Sequence, residues 1–458
     1  MQKQLFRQYD IRGKIGTEID IDDFYNITHA ILIFLKQQGD CRSIALGMDG
    51  RVHCPAIFNK ISAACKDAGV NIYFLGVCST PITFFAQYHL DIQACLMITA
   101  SHNPAEYNGL KIYYKKNPIE GGKLQEIYEL YSQRALFLSD EPGQVLEAFH
   151  IIDLYVDSLF TEFFHLKNFK QPCFIDCGNG VAGPILQKLI TKMDWKNITL
   201  LFPEVDGTYP HHIADPTDLK NVEELLDQVT LTEGSFGIGL DGDCDRVSVI
   251  SSTAGLVSAD ELLALFADSI NAKVVVSDIK SSSVVGFYGA QVVLAPTGCA
   301  NIKSAMDQHH ALLGGELSGH FFFQDRHLGY DDGIYGMLRF FDILMTKQVS
   351  CNDLVATLPE SFRTKDIRIP CSDDKKFQIV QEIVAQLSST TEFKIIMLDG
   401  IRFENEYGWG LIRAANTQPM LSICCQAVSY EKLQFFKNML INILQQYIDL
   451  KLLQQYIL

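Results

Sequence analysis

Three aspartates alternate in residues 241–246, which read Asp-Gly-Asp-Cys-Asp-Arg. A tight loop can direct all three carboxylates at one centre, and hard oxygen ligands suit Mg²⁺. Without a cation, carboxylates this close would repel one another and their pKa values would rise. A solvated acidic turn is the ordinary alternative, but the third aspartate, the following Arg246 and the preceding apolar run favour a metal site. An EF-hand loop is excluded because Ser252 occupies its twelfth position.

A second polar stretch, residues 99–104, places a hydroxyl and an imidazole side by side after an apolar run. Ser101 is a candidate nucleophile, His102 adjoins it, and the Asn-Pro pair that follows favours a turn. Lys111 could return to this loop as an acid, a base or a phosphate contact. The alternatives are a hydroxyl that caps the next helix, a surface histidine and an exposed lysine.

Two further loops carry groups suited to a polar ligand. Residues 314–320 set a carboxylate, a hydroxyl and an imidazole at alternate positions between glycines, so that these groups can share one face and bind adjacent sugar hydroxyls. Residues 413–419 combine Arg413 with small residues and an Asn-Thr pair before proline, a composition that resembles a cradle for a phosphate dianion. Ordinary polar turns are the alternative for both.

Short apolar runs precede these loops and predict the strands that position them. Helix-like stretches lie between the runs, with apolar residues recurring at three and four positions. This alternation predicts α/β layers with a mostly parallel sheet, whose ligands gather at the carboxyl ends of the strands. The predicted strands are residues 43–47, 94–98, 173–175, 236–240 and 273–276, and the clearest helices are residues 21–37 and 55–68.

A chain of 458 residues is too long for one core and, at roughly 150 residues per domain, predicts about three or four domains. We place boundaries near residues 148, 250 and 362, where polar segments interrupt the apolar periodicity. The recurring strand-to-loop units suggest that the first three domains are built alike. After residue 362 the pattern changes to strands, a helix over 375–387 and one long amphipathic helix from Tyr430 to the terminus, which indicates a small α+β unit.

The amino-acid composition argues against several classes of partner and of cysteine-based site. The chain has 38 basic and 54 acidic residues, a formal charge of −16 that repels nucleic acid and anionic lipid. It has no apolar run long enough to span a membrane and no signal peptide in its first ten residues, so we expect a cytoplasmic protein. The thirteen cysteines are scattered and include no C-x-x-C pair, which indicates neither a disulfide framework nor a zinc knuckle.

The four loops, in this order and spacing, resemble the signature of the α-D-phosphohexomutases, most closely the bacterial phosphomannomutase/phosphoglucomutase group. Residues 6–13, 329–333 and 408–410 also fit, so the likeness extends over essentially the whole chain. The resemblance implies an α/β fold in which four domains surround a central cleft. They are three similar α/β/α domains, residues 1–148, 149–250 and 251–362, and a C-terminal α+β lid domain, residues 363–458.

The resemblance also implies a role for each candidate residue. Ser101 would be the phosphoserine, with Lys111 and His320 as acid/base candidates, and Arg246 and Arg12 beside them in the catalytic site. The residues implied to bind substrate are Tyr9, His102, Lys280, Glu316, Ser318, Arg413, Asn416 and Thr417. The residues implied to bind Mg²⁺ are Ser101, Asp241, Asp243 and Asp245.

The activity implied by the resemblance is reversible interconversion of hexose 1-phosphate and hexose 6-phosphate, with mannose and also glucose as the sugar. It uses a phosphoserine enzyme, Mg²⁺ and a hexose 1,6-bisphosphate intermediate. The expected partners are small-molecule hexose phosphates, without nucleic acid or membrane, for a monomer or weak oligomer. The alternatives are a phosphoglucosamine mutase, a sugar-phosphate-binding protein with weakened catalysis and a Mg²⁺-dependent phosphatase.

Three positions depart from the family pattern. Cys299 stands where histidine is usual, so that one possible proton carrier is replaced by a thiol. Ala415 replaces a serine that is common in the phosphate loop, which removes a hydroxyl donor. Leu317 stands where methionine is usual in the mannose/glucose group and where glutamine is usual in phosphoglucosamine mutases. The change from methionine to leucine conserves volume and apolar character.

Overall fold

A computed structural model of the chain describes residues 5–6, 8–388, 391–415 and 419–458, and the candidates Asn416 and Thr417 lie outside them. Four sheets follow one another along the described residues. The first contains seven strands. They are β1 (Ile11–Lys14), β2 (Ser43–Met48), β3 (Asn71–Val77), β4 (Ala94–Ile98), β5 (Tyr107–Tyr114), β6 (Asn117–Pro118) and β7 (Val145–Glu147), and they are accompanied by α1 (Asp23–Gln38), α2 (Cys54–Asp67), α3 (Thr80–Phe85) and α4 (Gly122–Ser132).

The second sheet contains five strands and the third contains four. The second comprises β8 (Cys173–Asp176), β9 (Ile198–Leu201), β10 (Phe236–Leu240), β11 (Val247–Ser251) and β12 (Gly255–Val257), with α5 (His150–Glu162), α6 (Ala182–Met193) and α7 (Glu223–Leu231). The third comprises β13 (Val274–Asp278), β14 (Gln291–Ala295), β15 (Leu313–Gly315) and β16 (Phe321–Phe323), with α8 (Ala259–Ser269), α9 (Cys299–His309), α10 (Gly333–Lys347) and α11 (Cys351–Val355).

These three sheets share one arrangement of four strands, with three parallel strands followed by an antiparallel one. The orders are β3-β2-β4-β5, β9-β8-β10-β11 and β14-β13-β15-β16. The parallel strands β4 and β10 are buried at every residue, as their apolar sequences require when helices cover both faces of a sheet. The first three domains are therefore built alike, as the recurring strand-to-loop units suggest.

The fourth sheet differs because all its pairings are antiparallel. Its strands are β17 (Phe362–Arg363), β18 (Ile367–Pro370), β19 (Lys394–Ile396), β20 (Ile401–Asn405), β21 (Gly408–Ala414) and β22 (Met420–Ala427), and its helices are α12 (Asp373–Leu387), α13 (Tyr430–Leu444) and α14 (Leu450–Ile457). The prediction of one long terminal helix is wrong. α13 ends at Leu444, and Asp449 begins a separate helix because its carboxylate accepts from the backbone N–H groups of Lys451 and Leu452.

The ends of the first two sheets are defined by their last strands. The first sheet ends with β7, and α5 begins at His150. The second sheet continues to Val257, because β11 pairs with β10 and then with β12. Among the described residues, no helix has the length and apolar character needed to cross a membrane.

The cores tie the first three domains together and leave the fourth separate. One apolar cluster runs from the inner face of the first sheet through the second and third domains. Within it Phe341 of α10 stacks on Phe169, with ring centroids 4.6 Å apart. The outer half of the first domain has its own cluster, and the fourth domain buries another between its sheet and helices. The larger core thus fixes the relative positions of the loops that follow β4, β10 and β15.

Candidate active site

Three loops occupy equivalent positions in the three α/β domains and meet in one cleft. Each connects the third strand of the shared arrangement to the antiparallel fourth strand, at residues 99–106, 241–246 and 316–320. With residues of the fourth domain they surround a cavity of about 250 Å³. The candidate residues that line it are Tyr9, Arg12, Ser101, His102, Lys111, Asp245, Arg246, Lys280, Glu316, Ser318, His320 and Arg413.

Ser101 lies on a loop with an unusual backbone. Its φ is +50°, a left-handed conformation that costs free energy for a residue with a β-carbon, and its side chain is buried. Its Oγ donates to Asp241 Oδ2 at 2.8 Å and lies 3.2 Å from His102 Nδ1. Gly242 lets the two loops approach, because a β-carbon there would lie 2.7 Å from the Ser101 carbonyl oxygen. The loop follows β4 and leads into β5, so the alternative that Ser101 caps a helix is wrong.

Arg51 holds this loop in place, and sequence reasoning gave it no role. Its guanidinium is fully buried and donates to the carbonyl oxygens of Ser101, Asn103, Pro104 and Tyr107 at 2.6–3.0 Å. Its Nε donates to the Asp49 carboxylate at 3.1 Å. The only sequence signal was an Asp-Gly-Arg segment directly after a predicted strand.

The three aspartates converge as the alternating sequence predicts. Asp241, Asp243 and Asp245 are buried and each offers an oxygen within 4.8 Å of the other two. Lys111 Nζ donates to Asp243 at 2.6 Å and to Asp245 at 2.5 Å. Thr80, which sequence reasoning missed, donates to Asp243 at 2.6 Å.

The aspartate cluster has spare capacity for a cation. The Oδ1 atoms of Asp243 and Asp245 are buried and accept no hydrogen bond. Burial and the neighbouring carboxylates raise the pKa of Asp241 well above its ordinary value. Although burial opposes the charge of Asp243, the ammonium of Lys111 lowers the pKa of that carboxyl. An all-oxygen donor set with two unbonded oxygens fits a hard divalent cation.

A second charged group faces the aspartates across the cavity. Arg246 Nε donates to His320 Nε2 at 3.0 Å and lies 3.7 Å from Asp241 Oδ2. His320 Nδ1 in turn lies 2.7 Å from Asp331 Oδ2. Burial opposes the charged form of His320, yet the carboxylates of Asp245 and Asp331 raise its pKa. The sequence analysis gave no role to Asp331.

Cys299 and His102 complete this part of the cleft. Cys299 begins α9, and its Sγ donates to Asp331 Oδ2 at 3.2 Å. Burial raises the pKa of the Cys299 thiol, and the Asp331 carboxylate raises it further. Burial lowers the pKa of His102, and the nearby cations Arg246 and Arg12 lower it further, which favours the neutral imidazole. The neutral imidazole can accept or donate a hydrogen bond beside Ser101 Oγ.

The opening segment of the chain reaches into the same cleft. Arg12 Nη1 donates to the Asn103 side chain at 2.7 Å, and Arg12 Nε donates to Asp10 at 3.0 Å. The hydroxyl of Tyr9 donates to the Thr297 carbonyl at 2.8 Å. Arg12 therefore places a cation beside the loop that carries Ser101.

Glu316 and Ser318 lie in a tight turn between β15 and β16, not in an extended segment. The turn is closed by a bond of 3.0 Å from the Glu316 N–H to the His320 carbonyl. Ser318 Oγ donates to Glu316 Oε2 at 3.2 Å, and the Gly298 N–H donates to Glu316 Oε1. A turn still brings the alternate side chains of this segment into the cavity.

The other substrate candidates come from the third and fourth domains. Lys280 Nζ lies 3.6 Å from Asp278 in the cleft. Arg413, on β21, is buried and its Nη2 lies 2.7 Å from Asp399. The sequence analysis missed Arg368 and Ser422, which line the cavity on the side of Arg413. This side of the cavity combines two guanidinium groups with a hydroxyl, a set suited to a phosphate.

Three family models match the chain. They are described as the phosphoglucomutase/phosphomannomutase alpha/beta/alpha domains I, II and III, and they match residues 3–136, 153–255 and 258–362. A phosphomannomutase/phosphoglucomutase of Pseudomonas putida is 34% identical over 442 residues, which cover 95% of this chain and 94% of that protein. A phosphoglucomutase of Neisseria gonorrhoeae is 33% identical over 448 residues, covering 95% of each.

A solved structure shares the whole architecture. The crystal structure of a phosphoglucomutase/phosphomannomutase family protein from Burkholderia thailandensis superposes with a TM-score of 0.87 at 26% identity, covering 97% of this chain and 98% of that one. The similarity therefore includes the fourth domain, which the three family models leave unmatched.

Proposed function

Because the chain belongs to the phosphoglucomutase/phosphomannomutase family, we propose that it interconverts hexose 1-phosphates and hexose 6-phosphates. One observation carries the proposal. Ser101 Oγ lies 2.8 Å from an aspartate of the buried cluster and faces the same cavity as the turn of Glu316 and the buried Arg413. A nucleophile, a cation site, a sugar-binding turn and a phosphate site thus surround one small volume.

Ser101 Oγ together with oxygens of Asp241, Asp243 and Asp245 would hold Mg²⁺. The all-oxygen donor set and the two unbonded carboxylate oxygens support this choice of ion. When bound, Mg²⁺ supplies positive charge that offsets the charge of the phosphoryl group in flight.

Phosphorylated Ser101 would donate its phosphoryl group to the free hydroxyl of a hexose monophosphate. The bond from Ser101 Oγ to phosphorus breaks as the sugar oxygen bonds to phosphorus, and the hydroxyl proton leaves to a base, with Lys111 and His320 as the acid/base candidates. The resulting 1,6-bisphosphate turns around, and Ser101 takes back the other phosphoryl group. Lys111, Arg246 and Arg12 contribute fixed positive charge around this transfer, where electrostatic stabilisation provides most of the catalysis.

The remaining residues would fix the sugar and the phosphate that is not transferred. Glu316 and Ser318 offer a carboxylate and a hydroxyl to adjacent sugar hydroxyls. Arg413, Arg368 and Ser422 would bind the second phosphate, with Asn416 and Thr417 as further candidates. Tyr9, His102 and Lys280 would line the substrate site between these two ends. One hydroxyl site and one phosphate site can serve both orientations of the bisphosphate.

We propose that the substrates are the free phosphates of mannose and glucose. The protein would act on them without nucleic acid or membrane, as a monomer or weak oligomer. The names of the similar bacterial enzymes and the apolar Leu317 support these sugars over glucosamine. Initial rates on mannose, glucose and glucosamine phosphates rank the three sugars as substrates. A faster rate on glucosamine 6-phosphate than on mannose 6-phosphate would favour the phosphoglucosamine mutase alternative.

A phosphorus NMR time course tests the reaction itself. The protein is mixed with mannose 1-phosphate, Mg²⁺ and a trace of glucose 1,6-bisphosphate, and a 6-phosphate resonance is expected. Ser101→Ala should abolish that resonance, whereas Ser132→Ala, at an exposed serine of α4, should retain it. Release of inorganic phosphate would indicate a phosphatase. An unchanged spectrum together with calorimetric binding of the sugar phosphate would indicate a binding protein.

A further inference from the structure

A second set of metal-binding side chains lies in the cleft, separate from the three aspartates. Cys299, His320 and Asp331 each offer one ligand atom within 4.8 Å of the other two. Cys299 Sγ is 3.2 Å from Asp331 Oδ2, and His320 Nδ1 is 2.7 Å from the same oxygen. The three come from the start of α9, the end of the turn before β16 and the segment that precedes α10. The fold therefore brings together a thiol, an imidazole and a carboxylate that are distant in sequence.

One of these atoms is a buried ring nitrogen whose approach to its neighbour is not that of an aligned hydrogen bond. His320 is 94% buried and, despite its closeness to Asp331, its Nδ1 has no aligned hydrogen bond. Further carboxylates, Glu120 and Glu316, line the same wall of the cavity. A cation between the three ligand atoms would replace the proton on Nδ1 and would be attracted by these nearby carboxylates.

The chemistry of the three ligands selects the cation. Thiolate and imidazole ligands favour Zn²⁺ and related soft ions over Mg²⁺, whereas the all-oxygen aspartate cluster favours hard ions. Zinc sites that exchange a water or substrate ligand have three protein ligands and a fourth position open to a cavity. The three side chains offer this arrangement. We propose that Cys299, His320 and Asp331 bind one soft divalent cation of the zinc class in the cleft, in addition to the hard cation held by the aspartates.

Binding would require two local changes. The Cys299 thiol loses its proton to solvent as the metal–sulfur bond forms. The proton of His320 moves to Nε2 once Nδ1 binds the cation, so Arg246 can no longer donate there and must turn towards Asp241 and Asp245, which lie 3.7 and 4.0 Å away. Occupancy would thus displace a guanidinium from its place in the cleft. If the proposed function holds, zinc inhibits turnover, but the existence of the site does not depend on that activity.

The test is a titration of the full chain with Co²⁺ in the presence of excess Mg²⁺. The excess Mg²⁺ occupies sites made only of oxygen ligands. A near-ultraviolet charge-transfer band between a thiolate and Co²⁺ then reports only Co²⁺ that is bound to a cysteine. We expect the band to saturate at one equivalent of Co²⁺ and to disappear when Zn²⁺ is added in equal amount. Cys299→Ser should abolish the band. Cys371→Ser, which removes the other thiol that is not buried, should retain it.

A second variant distinguishes loss of a metal ligand from a change of structure caused by Cys299→Ser. Asp331→Asn keeps the size of the side chain and should weaken Co²⁺ binding at least about tenfold while the band itself remains at saturation. Circular dichroism of each variant checks that the fold persists. The proposal is overturned if the wild-type protein gives no band, if the band survives in Cys299→Ser, or if Asp331→Asn binds Co²⁺ as tightly as the wild type. None of these measurements uses a sugar phosphate, so failure here is distinct from failure of the proposed function.

Discussion

At the scale of single residues, the cleft depends on buried charges that are satisfied by the backbone as well as by one another. Arg51 shows this best, because it donates to four carbonyl oxygens of the loop that carries Ser101 and pairs with Asp49. The left-handed backbone of Ser101 costs free energy and persists only where surrounding contacts hold it. Arg51 supplies those contacts, so we regard it as a positioning residue for the nucleophile.

Replacing Arg51 with lysine should therefore lower both stability and turnover. Lysine keeps the charge but lacks the planar set of donors, so it cannot reach all four carbonyl oxygens. We expect a loss of about 3 kcal/mol in the free energy of unfolding, because buried carbonyl oxygens lose their charged hydrogen-bond donors. We also expect kcat to fall about 100-fold with a smaller change in KM, since misplacing a reacting group by about an ångström has that effect.

Urea unfolding and initial rates measure the two effects. Arg42→Lys is the matched control, because Arg42 pairs with Asp40 on the surface and exposed pairs contribute little. Equal losses in the two variants, or a normal kcat in Arg51→Lys, would remove the positioning role.

A histidine away from the cleft should control how stability depends on pH. His327 stacks on Tyr335 with ring centroids 3.9 Å apart, and burial and the Arg339 cation lower its pKa to about 3. Asp325 and Asp332 also face it, and Asp332 Oδ2 lies 3.7 Å away. In the unfolded chain its pKa is about 6.5, so between pH 6.5 and pH 3 the unfolded state binds the extra proton. His327 thus disfavours the folded state increasingly as pH falls through that window.

The free energy of unfolding, measured from pH 8 to pH 4, should fall less steeply below pH 6.5 in His327→Phe than in the wild type. His150→Phe, at an exposed position, should keep the wild-type dependence. Parallel curves for the wild type and His327→Phe would show that His327 is protonated in the folded protein at these pH values.

At the scale of elements, the site is a consequence of topology. The same connection, from the third parallel strand to its antiparallel neighbour, supplies the candidate nucleophile Ser101, the aspartates and the turn of Glu316 in successive domains. The sequence predicted β4 and β10 with their observed bounds because both are buried runs that end at polar loops. It could equally predict the convergence of the aspartates, since alternation within one loop is a local property.

What the sequence could not predict depends on distant partners. The side chain of Arg51 binds backbone carbonyl oxygens. Every residue has a backbone carbonyl, so the residue types of the loop do not indicate that it binds an arginine. Thr80 acquires its role because a separate domain brings it to Asp243, and Asp331 acquires its role because the fold of the third domain brings it to His320. The terminal helix was misjudged because its apolar periodicity continues across the break, while the capping carboxylate of Asp449 is a single residue.

One link between the fourth domain and the cleft is an arginine. Arg402 on β20 donates to the carbonyl oxygens of Ile279 and Ser281 at 2.8 Å each, on either side of Lys280, and stacks on Trp409 at 4.0 Å. Arg402→Lys should loosen this junction and let Lys280 move apart from the strands that carry Arg413 and Ser422, the proposed phosphate site. We expect KM for hexose phosphate to rise about tenfold, because one charged hydrogen bond of roughly 1.5 kcal/mol is lost.

Steady-state kinetics on mannose 1-phosphate measure this effect. The control is Lys394→Met on the adjacent strand β19, which removes an exposed cation from the Glu404 carboxylate without touching Lys280. An unchanged KM in Arg402→Lys would mean that the junction does not set the position of the phosphate site.

At the scale of the whole molecule, the cores divide the chain into two cooperative units. The first three domains share a continuous apolar cluster, to which Phe341 contributes a fully buried ring. The fourth domain has its own cluster around Phe436, and the apolar contact between the two units is a small group around Ile279 and Trp409. Units that share little buried surface unfold separately.

Unfolding should therefore occur in two transitions, and the two tryptophans report them independently. Trp195 packs against Phe341 with centroids 5.8 Å apart, whereas Trp409 lies in the fourth domain. In a Trp409→Phe background Trp195 fluorescence follows the three-domain unit, and in a Trp195→Phe background Trp409 follows the fourth domain. Phe341→Ala should lower the free energy of the first transition by about 3–5 kcal/mol and leave the second unchanged, and Phe436→Ala should do the reverse. Coincident transitions that shift together in both variants would mean that the small junction couples all four domains into one cooperative unit.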